Sequence, residues 1–237
     1  MISVDTVYQR VLALANKEQR GYITPQEFNL LANQAQMVIF DQYFYDLEKF
    51  DNDYGNETEY SDMVKTLNEK LSIFKKFDTS LVKNGSFFEY PADMYKLGTL
   101  YYAPTSLLED GVEIEEIYYD QLLDYYNSPL TKPNKSRPLY IRREEGIRII
   151  SASAINSGVL ATYVRKPAKV NWGYVITLGE PMYNASAAVD FELHPSEETL
   201  LVIKILEMAG ITLNKPGLSQ LAAQEENDMI AQQKIKQ

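Results

Sequence analysis

Residues 16–47 read NKEQRGYITPQEFNLLANQAQMVIFDQYFYDL. The stretch opens as the tail of one helix, turns at Gly21 and restarts at Thr24. Thr24 suits an N-cap, Pro25 the first helical position, and Glu27 stands three residues after the cap, which together spell a capping box. Ile23 before the cap and Phe28 four after it have the spacing of a hydrophobic staple. Phe28, Leu31, Ala35, Val38 and Ile39 then recur with a helical period. Beyond Phe40, the aromatic run Tyr43, Phe44, Tyr45 is too apolar for a solvated face. A helical hairpin at this point makes the N-terminal part of the chain a bundle.

The same residues have the twelve-residue length of a calcium loop, from Asn16 to Glu27, with Gly21 at the sharp turn. The ligand positions fit poorly. The first holds Asn16, the third Glu18, and the fifth Arg20, a cation where a cation would bind. No second loop pairs with it. The capped hairpin explains Gly21, Ile23, Thr24, Pro25, Glu27 and Phe28 without a metal. A calcium-binding module with a single degenerate loop stays as the alternative, and no cofactor is expected.

Working outward, residues 3–19 form a first helix with Val4, Val7, Tyr8, Val11, Leu12 and Ala15 on one stripe. The second helix spans residues 24–50. A third begins near Asn56 and carries Tyr60, Met63, Val64, Leu67, Leu71 and Phe74. Near Asp78 the pattern changes. Residues 86–90, 97–102 and 112–119 are aromatic and β-branched, parted by Pro91, Pro104 and Gly111, and read as strands. Residues 120–127 suit a short helix and 128–138 an extended loop. Residues 139–143 and 147–150 make a hairpin around Glu144, Glu145 and Gly146. Residues 158–165 and 172–178 are further strands.

Residues 195–209 return to helix, starting at Pro195 or Ser196 after His194, with Gly210 just past the end. Leu200, Leu201, Val202, Ile203, Ile205, Leu206 and Met208 surround this helix, and a helix apolar all round is buried. The N-terminal bundle is the place for it. The expected fold class is therefore α+β: an N-terminal helical bundle completed by a C-terminal helix, with an antiparallel β-rich insertion. The expected bounds are 1–80 with 191–213 for the helical domain and 81–190 for the insertion. Residues 214–237 form a Gln-rich helical tail. Its apolar face (Leu218, Leu221, Ala222) is too thin to fold alone, so the tail either frays or docks on a partner, and docking is the expectation carried forward.

The chain has 237 residues, no cysteine and a net charge of −10. Disulfides and thiolate metal sites are excluded, and a reducing cytosol suits such a chain. No segment is apolar enough to span a bilayer, and no signal-peptide pattern opens the sequence. The net charge argues against tight binding to a phosphate backbone. Charge is uneven, however. Residues 41–62 hold eight acids and one base, and residues 131–170 nine bases and two acids. Opposite blocks on one chain suit head-to-tail contact between copies. The interface residues expected from this are Arg142, Arg143 and Arg148 in the basic block, with Leu218 and Leu221 in the tail. Eighteen tyrosines fit an interface-rich protein. No nucleophile elbow, Walker loop, dinucleotide turn or HExxH helix occurs. No catalytic or metal residue stands out, and an enzyme is not expected.

The run Gly21-Tyr-Ile-Thr-Pro-Gln-Glu-Phe resembles virion structural proteins of tailed bacteriophages, the crAss-like group in particular. The likeness recurs from Tyr118 through Asp120-Gln-Leu-Leu-Asp-Tyr-Tyr-Asn-Ser-Pro to Arg137-Pro-Leu-Tyr-Ile, at Phe191-Glu-Leu-His-Pro-Ser-Glu-Glu and at Lys204-Ile-Leu-Glu-Met-Ala-Gly-Ile. The order of helices, β insertion and buried return helix is also similar to head-to-tail adaptor or gatekeeper proteins of short-tailed phages. The resemblance implies a connector ring of the portal vertex or neck, a homo-oligomer of twelvefold symmetry that touches the portal and other tail proteins. It implies residence in the virion after synthesis in the host bacterial cytoplasm, with no membrane partner. DNA would pass through an acidic lumen without specific binding, since phosphates are repelled there.

Overall fold

A computed structural model describes residues 1–17, 22–52 and 58–212. The fold is mixed α+β, as expected. It divides into two compact units: residues up to Ile73 together with those from Pro167 on, and Phe74–Lys166 between them.

The first unit is built from helices α1 (Val4–Lys17), α2 (Pro25–Asn52) and α3 (Thr58–Ser72), and the returning α6 (Glu198–Thr212). α6 packs on α1 and α2, and Leu201 and Ile205 on it are wholly buried. That placement follows from its all-round apolar surface. His194 caps the preceding 3₁₀ turn, its Nδ1 accepting from the Ser196 N–H at 3.3 Å. Gly210 does not end the helix, which runs on to Thr212. The penalty for glycine inside a helix is only about 1 kcal/mol, and the burial of this helix exceeds it.

The face of α2 is rotated from the expected one. Phe28, Ala32, Ala35, Ile39, Phe40 and Tyr43 are buried, whereas Val38 is exposed. Beside the core face, Asn29, Asn33 and Gln36 are turned to the extended residues 168–172. Trp172 N–H donates to Asn29 Oδ1 at 2.7 Å. Asn33 both donates to Val170 O at 2.8 Å and accepts from Val170 N–H at 2.9 Å. Gln36 Nε2 donates to Ala168 O at 2.8 Å. One helix turn and two strand residues advance by similar distances, roughly 5–7 Å. Amides spaced i, i+4, i+7 on the helix can therefore pair with every second backbone unit of the strand. This ladder corrects the expected boundary: residues 167–190 belong with the helices, not with an insertion running to 190. At the other end, residues 74–80 leave the helical unit, because Lys75–Ser80 already forms a strand.

The second unit holds β1 (Lys75–Ser80), β2 (Lys83–Asn84), β3 (Phe87–Phe88), β4 (Met94–Tyr102), the short α4 (Leu107–Asp110), β5 (Val112–Glu116), α5 (Leu122–Asn127), β6 (Leu139–Arg143), β7 (Gly146–Ile150) and β8 (Val159–Arg165). They form one eight-stranded sheet in the order β1-β8-β4-β5-β6-β7-β3-β2. β1 and β2 are joined by Leu81 and Val82 alone, yet stand at opposite ends of that order. The sheet must curl until its edges approach. Strand alternation then sorts the side chains. Phe88, Leu100, Ile114, Tyr140, Ile147, Val159 and Ala161 gather in one core. Leu139, Ile141 and Ile150 face the other way and pack with Ile117, Leu122 and Tyr125 around α5. Gly146 closes the β6–β7 turn at φ +145°, where a Cβ would lie 2.4 Å from Phe88 O. The expected antiparallel pattern has one exception: β5 and β6 pair in parallel. The crossover through residues 117–138 and α5 makes that possible.

Candidate interaction surfaces

Strand alternation parts the three arginines singled out in the sequence. Arg142 lies on the Tyr140 side of β6, and its guanidinium grips Glu116: Nε is 2.6 Å from Oε1 and Nη2 donates to Oε2 at 2.8 Å. Tyr140 donates to the same Oε2 at 2.9 Å, and burial pushes its phenol up from the ordinary tyrosine range. Arg137 pairs with Glu115 at 3.3 Å. Arg143 and Arg148 belong to the opposite face. The Arg143 guanidinium lies 5.3 Å from the centre of the Tyr119 ring, a cation–π contact. Arg148 stands in register with Ile141, exposed and with no ion pair among the described residues. The basic block is therefore not a bare patch: β5 supplies acids to two of its arginines. Sequence distance hid those partners, which lie 22 and 26 residues away.

Leu218 and Leu221 lie outside the described residues, as do most side chains of the acidic block. Of the calcium-like loop, residues 18–21 are likewise outside. Its last position, Glu27, is committed to the cap: Oε2 accepts from the Thr24 N–H at 2.9 Å and the Thr24 hydroxyl at 2.8 Å. Among the described residues no three His, Asp or Glu side chains gather to hold a metal ion, and no helix is long and apolar enough to cross a membrane.

The tyrosines divide. Tyr8, Tyr43, Tyr140 and Tyr163 are buried, whereas Tyr22, Tyr45, Tyr118, Tyr119 and Tyr126 are exposed. Tyr8 is a structural hub. Its ring meets Phe28 at 4.6 Å and Trp172 at 4.4 Å, and its hydroxyl donates to Ile23 O.

A surface absent from the sequence reading follows Trp172. Residues 172–178 were expected as one strand. They are instead the first arm of a hairpin, β9 (Tyr174–Thr177) and β10 (Glu180–Tyr183), which stands as its own two-stranded sheet. Trp172 anchors its base. Its Nε1 donates to Asp5 at 2.9 Å, and its ring lies against Tyr174 and Tyr183 at 5.9 and 5.7 Å. Above that base the hairpin is apolar and uncovered: Val175, Ile176, Leu178, Met182 and Tyr183 are all exposed. Leu178 and Gly179 both have positive φ, 54° and 88°, as a tight two-residue hairpin turn requires. Leu178 is an unusual residue there, which is why the turn was not legible.

No family model and no curated protein matches the chain.

Proposed function

We propose that the chain is a structural subunit of a phage connector, a ring protein of the portal vertex that joins portal to tail around the DNA channel. The observation that carries this reading is the return of α6 among the N-terminal helices, which leaves the β unit between helices that pack together. That is the order found in the connector proteins which the sequence resembles. The uncovered apolar hairpin and the exposed tyrosines add support, since such surfaces are suited to subunit contacts. The partners are other copies of the chain, twelve in a closed ring, together with the portal and neighbouring tail proteins. Heterologous contacts that close upon themselves make such rings. The net charge of −10 suits a lumen through which DNA slides without adhering. The role asks for no catalytic residue or cofactor, and it places the protein in the virion. The test is particle mass by light scattering with negative-stain imaging, for the purified protein alone and mixed with the portal protein of the same phage. Closed rings, alone or on the portal, are expected. Monomers under both conditions would overturn the reading.

A further inference from the structure

The β9–β10 hairpin carries a side chain that the fold does not use. Leu178 is 101% exposed, at φ 54°. An L-residue in this left-handed region is strained, and glycine or asparagine would relieve the strain. A leucine kept there, wholly in water, gives the fold neither burial nor turn geometry.

The same unit carries an apolar socket. Arg10, Ala13 and Leu14 of α1 and Thr199 and Val202 of α6 line a groove of about 350 Å³. Leu14 at its edge is 45% exposed, so the groove is open. Knob and socket do not meet within one chain. Trp172, which fixes the hairpin base, is held by Asp5 and Tyr8. At about 100° per residue, those two positions and the groove positions point roughly 160° apart around α1. A knob and a socket on opposite flanks of one rigid helix form a heterologous pair, able to join copies in series. Charge agrees. Glu180 is exposed beside the tip. The Arg10 side chain on the groove rim is 54% exposed and pairs with Glu198 at 2.9 Å, leaving other N–H donors of its fork for a second carboxylate.

We propose that Leu178 at the hairpin tip of one copy seats in the α1–α6 groove of the next, so that copies join head to tail. Because it names the contact between ring neighbours, this rests on the connector reading above. The natural chain has no cysteine, so cross-linking has no background. In the double variant Leu178→Cys/Ala13→Cys, mild oxidation is expected to give a ladder of covalent oligomers. Each single variant alone should give at most dimers, and a mixture of the two singles should give the cross-linked pair. Leu178→Gly should abolish assembly while melting at or above the wild-type temperature, because glycine suits the turn.

Absence of any ladder in the double variant overturns the proposal. Rings that form unchanged in Leu178→Gly overturn it too, yet leave the connector reading standing. A ladder that never closes into rings supports the contact and counts against the ring. If the Ala13→Cys thiol resists alkylation in a monomer until residues after Gly217 are removed, the chain's own tail fills the groove, and the proposal falls.

Discussion

At the α2 N-terminus, Thr24 and Glu27 satisfy one another. The Glu27 N–H donates to Thr24 Oγ1 at 3.3 Å, and the glutamate answers through the Thr24 N–H. Thr24→Ala is expected to cost about 1 kcal/mol in chemical denaturation; no change would place the anchor of the hairpin elsewhere. The Thr24 N–H and hydroxyl also hold the Glu27 carboxyl below its ordinary range. A carboxyl depressed in the fold stabilises it above the unfolded pKa and loses that contribution as pH falls through the folded value. Glu27→Gln should therefore flatten part of the acid limb of the melting-temperature profile, below about pH 5, while leaving the neutral and alkaline limbs parallel to wild type. A calcium titration reads the same site: with Glu27 engaged in the cap, millimolar calcium should leave the melting temperature unchanged. A second residue-scale test concerns Glu197, which is buried and held by Lys70 at 2.5 Å. Lys70→Met strands that carboxylate, and roughly 3–5 kcal/mol should be lost; a loss no larger than a surface mutation's would show that solvent already reaches the pair.

Among elements, α6 was the most legible, because seven apolar residues spread around one helix demand burial on most of its sides. Leu201→Ala and Ile205→Ala, both at wholly buried positions, should each cost about 2–5 kcal/mol by thermal or denaturant unfolding. The α2 restart was legible for a different reason: caps and staples are local, and every part of the Thr24 signal lies within six residues. The amide ladder was not. Asn29, Asn33 and Gln36 read as the polar face of a helix until residues 168–172 are placed beside them, and nothing local marks partners 132 to 143 residues distant. Asn33→Leu removes both hydrogen bonds to Val170, together with the one to Asn29 O, leaves the Val170 backbone without the amide that pairs it, and should lower stability by roughly 2–3 kcal/mol. β1 was missed because Lys75, Lys76 and Asp78 give it a charged, edge-strand composition, and the β9–β10 turn because it lacks the usual Asn-Gly signal. The basic hairpin was found as an element, but the pairing of its Arg142 with Glu116 was not, since it depends on a parallel neighbour that strand patterns cannot reveal.

For the whole molecule, these pairings change how the proposed assembly should be probed. Arg142→Glu would break an ion pair inside its own unit and confuse folding with association, whereas Arg148→Glu leaves the described contacts intact. If opposite charges steer neighbouring copies together, Arg148→Glu slows assembly at low salt and has little effect at high salt, because exposed pairs are screened. An equal rate at every salt concentration would make the charge blocks solvated faces. Removing residues after Gly217 should leave the melting temperature of the remaining chain near wild type and block assembly, if the tail docks on a partner. The most direct measurement is the mass of the purified full-length chain by light scattering, alone and with the portal protein, read together with negative-stain images. A connector subunit gives closed rings of uniform size, on its own or on the portal. A chain that stays monomeric in both, at concentrations where the portal itself is assembled, would contradict the role proposed for it.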